Sequence, residues 1–176
     1  GYIYMGIGMS ATAGVVAAVF HIIFHALTKP ALFLSSAMLE DVSEGSKRFF
    51  DLQGAAYRNR TAGMLFAVCS LSMVGLPLFM GFVSKLLFAS AAVSSGNLML
   101  ITLIALAIST ILNTIYFLRT VIRIFTPASI NCDIRVRIRQ QTEFFITALV
   151  FIAANIYFGL HSQPIVDLIS NGLTIF

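Results

Sequence analysis

Charge is what this sequence has least of. Its 176 residues include seven Asp+Glu and eleven Lys+Arg, 10% charged in all against 59% hydrophobic, where a soluble domain carries about a quarter charged residues. A soluble fold must cover its surface with polar groups, and so few cannot cover one. A soluble enzyme is therefore excluded, and a bilayer protein is the class left. The net charge of +4 is concentrated in two short stretches beside apolar runs, the pattern of membrane topology and not of a nucleic-acid-binding face. Cysteine is scarce as well. Cys69 lies in an apolar run and Cys132 in a polar loop, so neither metal-ligand spacing nor a disulfide framework is present. No leader with a basic start and a cleavage site opens the chain, which begins at Gly1; it reads as a piece of something longer.

What is present is a series of charge-poor stretches, and a helix needs about 20 mostly apolar residues to cross about 30 Å of hydrocarbon. They predict an all-α, polytopic transmembrane helix bundle with four spans and an N-terminal helix stub. The stub is residues 1–9, with Ser10 placed to cap the next helix. The first span is residues 11–39. The second apolar region, residues 61–95, would be about 50 Å long as one straight helix, more than a bilayer needs. Gly75, Pro77 and Gly81 supply the interruption, because proline lacks an amide hydrogen and glycine permits irregular backbone. A discontinuous helix with halves near 61–74 and 82–95 is expected. After a turn at Ser94, Ser95, Gly96 and Asn97 comes a third span, 98–125, then a basic loop, 126–142, a fourth span, 143–160, and a tail patterned as a short amphipathic interfacial helix.

Lysine and arginine near span ends set orientation. Lys47, Arg48, Arg58 and Arg60 share one loop, while Arg119, Arg123, Arg135, Arg137 and Arg139 surround the loop two spans later. Both basic loops should face the cytoplasm or its equivalent across an inner membrane. The sequon at Asn59 would then be on the wrong side for glycosylation.

Four ionisable side chains remain inside the spans: His21, His25, Lys29 and Lys85. Each costs several kcal/mol at mid-membrane and normally faces a bundle interior, a water path or a partner. The histidines and Lys29 fall at i, i+4 and i+8, about 40° and 6 Å apart at each step, so they form one polar stripe along the helix. Histidine titrates near neutral pH, which makes a proton relay one reading; structural hydrogen bonding between helices is the other. Pro30 follows Lys29 and frees the carbonyl of Ala26, either hydrating the helix or only kinking it. Lys85 sits just beyond the helix break, and broken helices at membrane depth mark ion sites in transporters; a lysine snorkelling from a helix end is the alternative. All seven acids lie in loops or at span edges, so a counter-charge must come from elsewhere. No H-E-x-x-H pattern or third ligand accompanies the histidines, and no metal is expected.

Two runs carry a resemblance. HIIFHALTKPALFL (residues 21–34) resembles the H-x-x-x-H-A-x-x-K-x-x-L-F-L segment of the antiporter-like membrane subunits of respiratory NADH:quinone oxidoreductase (complex I), and of the related multisubunit sodium/proton antiporters and membrane-bound hydrogenases. GLPLFMGFVSKLL (residues 75–87) resembles the G-[IL]-P-x-x-x-G-F-x-x-K element of their second broken helix. The resemblance covers roughly residues 1–125. It implies that His21, His25 and Lys29 are central polar-axis residues and Lys85 the ionisable residue of the second half-channel. It also implies that residues 1–125 are most of the second of two inverted repeats, with residues 126–176 forming the basic loop, final span and tail. Pro30 departs from the small or apolar residue usual at that place.

The expectation is a proton-translocating subunit, or one exchanging protons for sodium, with other membrane subunits and the lipid bilayer as partners. Redox cofactors belong to partner proteins, since nothing here suits flavin, nicotinamide or an iron-sulfur cluster, and the chain alone is not an enzyme. A non-conducting structural subunit and a standalone oligomeric channel are the competing classes.

Overall fold

A computed structural model describes residues 1–9, 11–46, 48–127 and 142–173. Ser10, Lys47, Cys132, Arg135, Arg137 and Arg139 lie outside the described residues. Helix α1 (Tyr2–Gly8) turns back into α2 (Thr12–Asp41), and α3 (Ala55–Arg58) leads into α4 (Arg60–Val74). After the interruption come α5 (Met80–Ser94), a single 3₁₀ turn (Gly96–Leu98), α6 (Met99–Phe125), α7 (Thr142–Leu160) and α8 (Gln163–Leu173). The described residues form no strand. The expected bundle is therefore observed, with the stub, the four spans and the broken second span each within a few residues of their predicted bounds.

Three helices, α2, α6 and α7, are long and apolar enough to cross a membrane, and α4 and α5 are the two shorter apolar helices. At 15 residues each, α4 and α5 reach about 22 Å apiece, so the two together span what either alone cannot. Helix α2 is the centre of the bundle. Over its 30 residues it runs unbroken through Pro30, whose position on an exposed stretch keeps the ring out of the core.

Two apolar cores pack at opposite ends of α2. At one end Met9, Ala17, Phe88, Ala91, Ala92 and Leu106 join α2, α5 and α6. At the other, Leu39, Leu65, Phe66, Cys69, Ile124 and Phe144 join α2, α4, α6 and α7. Between them Phe20, Phe24 and Met80 make a third cluster, onto which α8 folds Ile165, Val166 and Ile169. The tail is thus the amphipathic helix expected, but it lays its apolar face on protein.

The loop after α2 is tied down by its own polar groups. Ser43 donates to the Leu39 carbonyl (2.8 Å) and accepts from Arg58 (2.8 Å), and Asn59 caps α4 by accepting from the Ala62 amide (3.1 Å). Arg123, at the end of α6, donates to the Phe50 carbonyl (3.0 Å), and Gln53 to that of Pro127 (2.8 Å). These bonds place the start of the second basic loop beside the first, at one end of the bundle, as the charge pattern predicts.

Candidate functional site

The interruption between α4 and α5 is built by Gly75. Its φ of +89° is left-handed, a conformation with little cost only for glycine. The Gly75 amide donates to the carbonyl of Ser72 and the Leu76 amide to that of Leu71, the paired closure that ends many helices. Two of the carbonyls left over at the C-terminus of α4 are thereby used, and the Val74 carbonyl is not one of them. Pro77 and Leu78 follow, and Leu78 also has positive φ (+84°), a strained conformation for a branched apolar residue. Helix α5 then starts against α4: the Gly81 amide donates to the Ser72 hydroxyl (3.2 Å), and a Cβ at Gly81 would collide with the Ser72 carbonyl oxygen. The end of α7 covers the break, with Gly159 against the backbone of Leu78 and Phe79. The backbone of Leu78 and Phe79 is thus covered by α7 on one side, while Leu76, Pro77 and Leu78 themselves are exposed.

Lys85 reaches back over this break. Its Nζ donates to the Val74 carbonyl at 2.5 Å, satisfying the oxygen that the Gly75 closure leaves free. The lysine stem lies over Gly75, where an added Cβ would be 2.8 Å from Lys85 Cδ. The side chain is half-buried, and its amine is directed to the interruption and not along α5 toward the helix end.

One residue earlier, Ser84 is fully buried and its hydroxyl is 2.8 Å from His21 Nδ1. This bond ties the histidine stripe of α2 to the helix that carries Lys85. His21 is the focus of an aromatic cluster, its ring centroid 4.2 Å from that of His25, 4.8 Å from Tyr2 and 5.5 Å from Phe88. From His21 the stripe runs outward: His21 is buried, His25 half-buried and Lys29 exposed. Lys29 shares its open face with Ile22, Ala26 and Phe33. The structure therefore links His21, with His25 beside it, through Ser84 to the helix that carries Lys85, and leaves Lys29 at the far end of the stripe.

A second polar pair joins α2 to α7. Asn155 Nδ2 donates to Thr28 Oγ1 (3.1 Å), both side chains being buried. Ser84, Tyr2 and this pair were not singled out by sequence. Asn155 is legible in retrospect as a lone amide inside an apolar run. Ser84 and Tyr2 carry no such signal, because serine and tyrosine are common in spans and only the packing decides which of them meets a histidine. Among the described residues no three His, Cys, Asp or Glu side chains gather in a way that would hold a metal.

With this geometry in hand, similarity to known proteins is informative. The family described as NADH:quinone oxidoreductase/Mrp antiporter, transmembrane, matches residues 1–112. NADH-quinone oxidoreductase subunit N of Methylococcus capsulatus is 26% identical over 152 residues, 86% of this chain and 30% of that protein. A putative antiporter subunit of Staphylococcus aureus is 35% identical over 92 residues, 52% of this chain and 11% of its own. A chain in the structure of the Mrp complex from a Dietzia species matches 96% of this chain and 39% of its own length, with a TM-score of 0.78 and 21% identity, a likeness of fold. The chain spans 24% to 34% of the length of the first three curated relatives.

Proposed function

Since this chain belongs to the NADH:quinone oxidoreductase/Mrp antiporter transmembrane family, we propose that it is the C-terminal part of an antiporter-like subunit that passes protons, or exchanges them for sodium, through a polar axis made of His21, His25, Lys29 and Lys85. It is a multi-pass inner-membrane protein, as its family is. The complex it serves is of the respiratory NADH:quinone oxidoreductase type, where redox chemistry belongs to partner subunits. Residues 1–125 act as most of the second of two repeats, and residues 126–176 supply the basic loop, the last span and the tail.

The reading rests on one observation: the Lys85 amine is bonded to the leftover Val74 carbonyl of an interrupted helix, while its neighbour Ser84 is bonded to His21. The C-terminal end of α4 carries partial negative charge, and the Lys85 amine meets it there with a proton donated to the Val74 carbonyl. Releasing that proton removes a full charge at the junction. The Ser84 hydroxyl both donates and accepts, and so can follow a change of tautomer on His21. Charges in a low dielectric influence one another strongly, and the protonation of Lys85 is therefore coupled to that of the histidines. Lys29, on the open face of α2, is where the axis meets the part of the subunit outside this chain, and any counter-charge for it comes from there.

The test replaces Lys85 by Ala and, separately, His25 by Ala in the full complex, and measures assembly and proton uptake into proteoliposomes. Complexes that assemble and do not pump are expected. Assembled complexes that pump normally would overturn the reading.

A further inference from the structure

The side of α5 that carries Lys85 is turned to α6. Lys85, Ala89 and Ala92 fall at i, i+4 and i+7 on one face of α5, and Ala89 and Ala92 share an apolar cluster with Leu103 and Leu106 of α6. Met80 and Val83, on the other side of α5, belong to the cluster that meets α7 and α8. Along α6, Leu103, Leu106, Thr110, Asn113 and Phe117 alternate by three and four and so form one face. All five are buried or half-buried, while Ile104, Ile108, Ile111 and Ile115 are exposed. Helices α5 and α6 run antiparallel from the turn at residues 96–98. Stepping away from that turn matches Ala92 and Ala89 with Leu103 and Leu106, and Lys85 with Thr110 and, one turn on, Asn113. The inner face of α6 is therefore leucine beside the alanines and becomes hydroxyl and amide at the level of the lysine.

Of these polar side chains only the amide is unused. Thr110 and Thr114 donate their hydroxyls to the carbonyls of Leu106 and Thr110 on their own helix, at 2.8 Å each. The Asn113 amide has no hydrogen bond among the described residues, whereas a polar side chain on the inner face of a membrane helix ordinarily bonds a neighbour. Lys85 has the complementary deficit. Its one described partner is the Val74 carbonyl, which accepts an N–H from the ammonium or from the neutral amine but has nothing to donate. Once the proton has gone, the nitrogen carries a lone pair, and a buried acceptor without a donor is costly.

We propose that Asn113 is a positioning residue for Lys85, receiving its amine in the neutral form. When Lys85 gives a proton to water of the transport path, one N–H bond breaks and the ammonium becomes an amine. Its lone pair then accepts from Asn113 Nδ2–H, while Asn113 Oδ1 remains able to accept from an ammonium. The stem that bends over Gly75 is a flexible four-carbon chain, and it swings the amine between the end of α4 and the inner face of α6. A carboxylate at this place would hold the ammonium and oppose proton release. An amide donates as well as accepts, which suits a lysine that must change its charge. The inference rests on the transport reading, in which Lys85 releases a proton.

The test uses the full complex and reads melting midpoint and proton uptake into proteoliposomes side by side. Asn113→Leu has no described hydrogen bond to lose, so it should keep the midpoint and take up protons about tenfold more slowly. Asn113→Gln restores an amide and should recover most of the uptake. A merely structural amide would instead lower midpoint and uptake together. Asn113→Asp accepts but cannot donate: it should keep the midpoint while Lys85 is there to pair with it, lose uptake, and drop the midpoint in a Lys85→Ala background, where the acid is left alone in the membrane. That pair of variants decides the matter even if Asn113→Leu fails to assemble. Normal uptake by assembled Asn113→Leu, no recovery by Asn113→Gln, or equal midpoints for Asn113→Asp with and without Lys85 would overturn the proposal. Normal uptake by Lys85→Ala overturns the transport reading and this inference with it, whereas lost uptake there beside normal uptake in Asn113→Leu removes Asn113 alone.

Discussion

The amine of Lys85 and the carbonyl of Val74 meet across an interrupted helix, 11 residues apart in sequence and 2.5 Å apart in space. The bond serves two ends at once: it satisfies a backbone oxygen that lipid would leave bare, and it holds a removable positive charge at the negative end of a half-helix. A purely structural donor would need only the first. Arginine separates the two, because its guanidinium keeps the charge and the donors but does not give up its proton in proteins. Lys85→Arg is therefore expected to assemble with thermal stability near that of the unaltered complex and to lose proton uptake. Normal uptake by the assembled Arg variant would remove proton release at this position from the mechanism.

Gly75 is required twice over. Its left-handed backbone costs any other residue about 1–2 kcal/mol, and an added Cβ would stand 2.8 Å from Lys85 Cδ. Gly75→Ala should lower the unfolding midpoint by the backbone cost and also displace the lysine. Asparagine tolerates the left-handed conformation better than alanine but carries the same Cβ. Gly75→Asn should then recover part of the stability and none of the transport, measured as melting midpoint against proton uptake. Recovery of both in parallel would mean that the glycine matters only for the turn.

The bond between His21 and Ser84 predicts a particular non-additivity. Ser84→Ala leaves a buried imidazole nitrogen without its partner, at a cost of about 1–3 kcal/mol. Once His21 is Phe, the same serine substitution removes a hydroxyl that has already lost its partner, and it should cost far less. A double-mutant cycle on unfolding midpoints should give a coupling of about 1 kcal/mol. Additive costs would show that the 2.8 Å contact contributes nothing to stability.

How far the sequence foretells this arrangement depends on what each residue's neighbours are. The interruption is legible because Gly75, Pro77 and Gly81 act on their own backbone, and so the break falls within a few residues of where local chemistry puts it. The stripe of His21, His25 and Lys29 is legible because helical spacing fixes which residues share a face. Which way the face turns is not. Spacing cannot say that His21 is buried while Lys29 is exposed, nor that α8 lays Ile165 and Ile169 on Phe20 and Phe24 instead of on lipid, since an apolar face suits either. The acceptor for Lys85 was hidden for a different reason: which carbonyl is left over at the end of α4 depends on the hydrogen bonds that Gly75 and Leu76 make first. Ser84 and Asn155 become significant only through partners 63 and 127 residues away.

Asn155 and Thr28 hold α7 against α2 one residue before Lys29. The amide donates from Nδ2, while its Oδ1 is buried and has no partner among the described residues. Thr28→Val keeps the shape of the side chain but takes away the only described acceptor for the amide, leaving it with nothing to bond in an apolar setting. That substitution should cost about 1 kcal/mol, near the range measured for hydrogen bonds between membrane helices. Asn155→Leu removes the amide together with its unsatisfied oxygen and substitutes a side chain of similar size, so in the Thr28→Val background it should restore stability to near the original value. Thermal unfolding of the single variants and the pair decides the matter. If the double variant is less stable than Thr28→Val alone, the Asn155 amide has stabilising contacts beyond the threonine, and its Oδ1 is not an orphan in the folded protein.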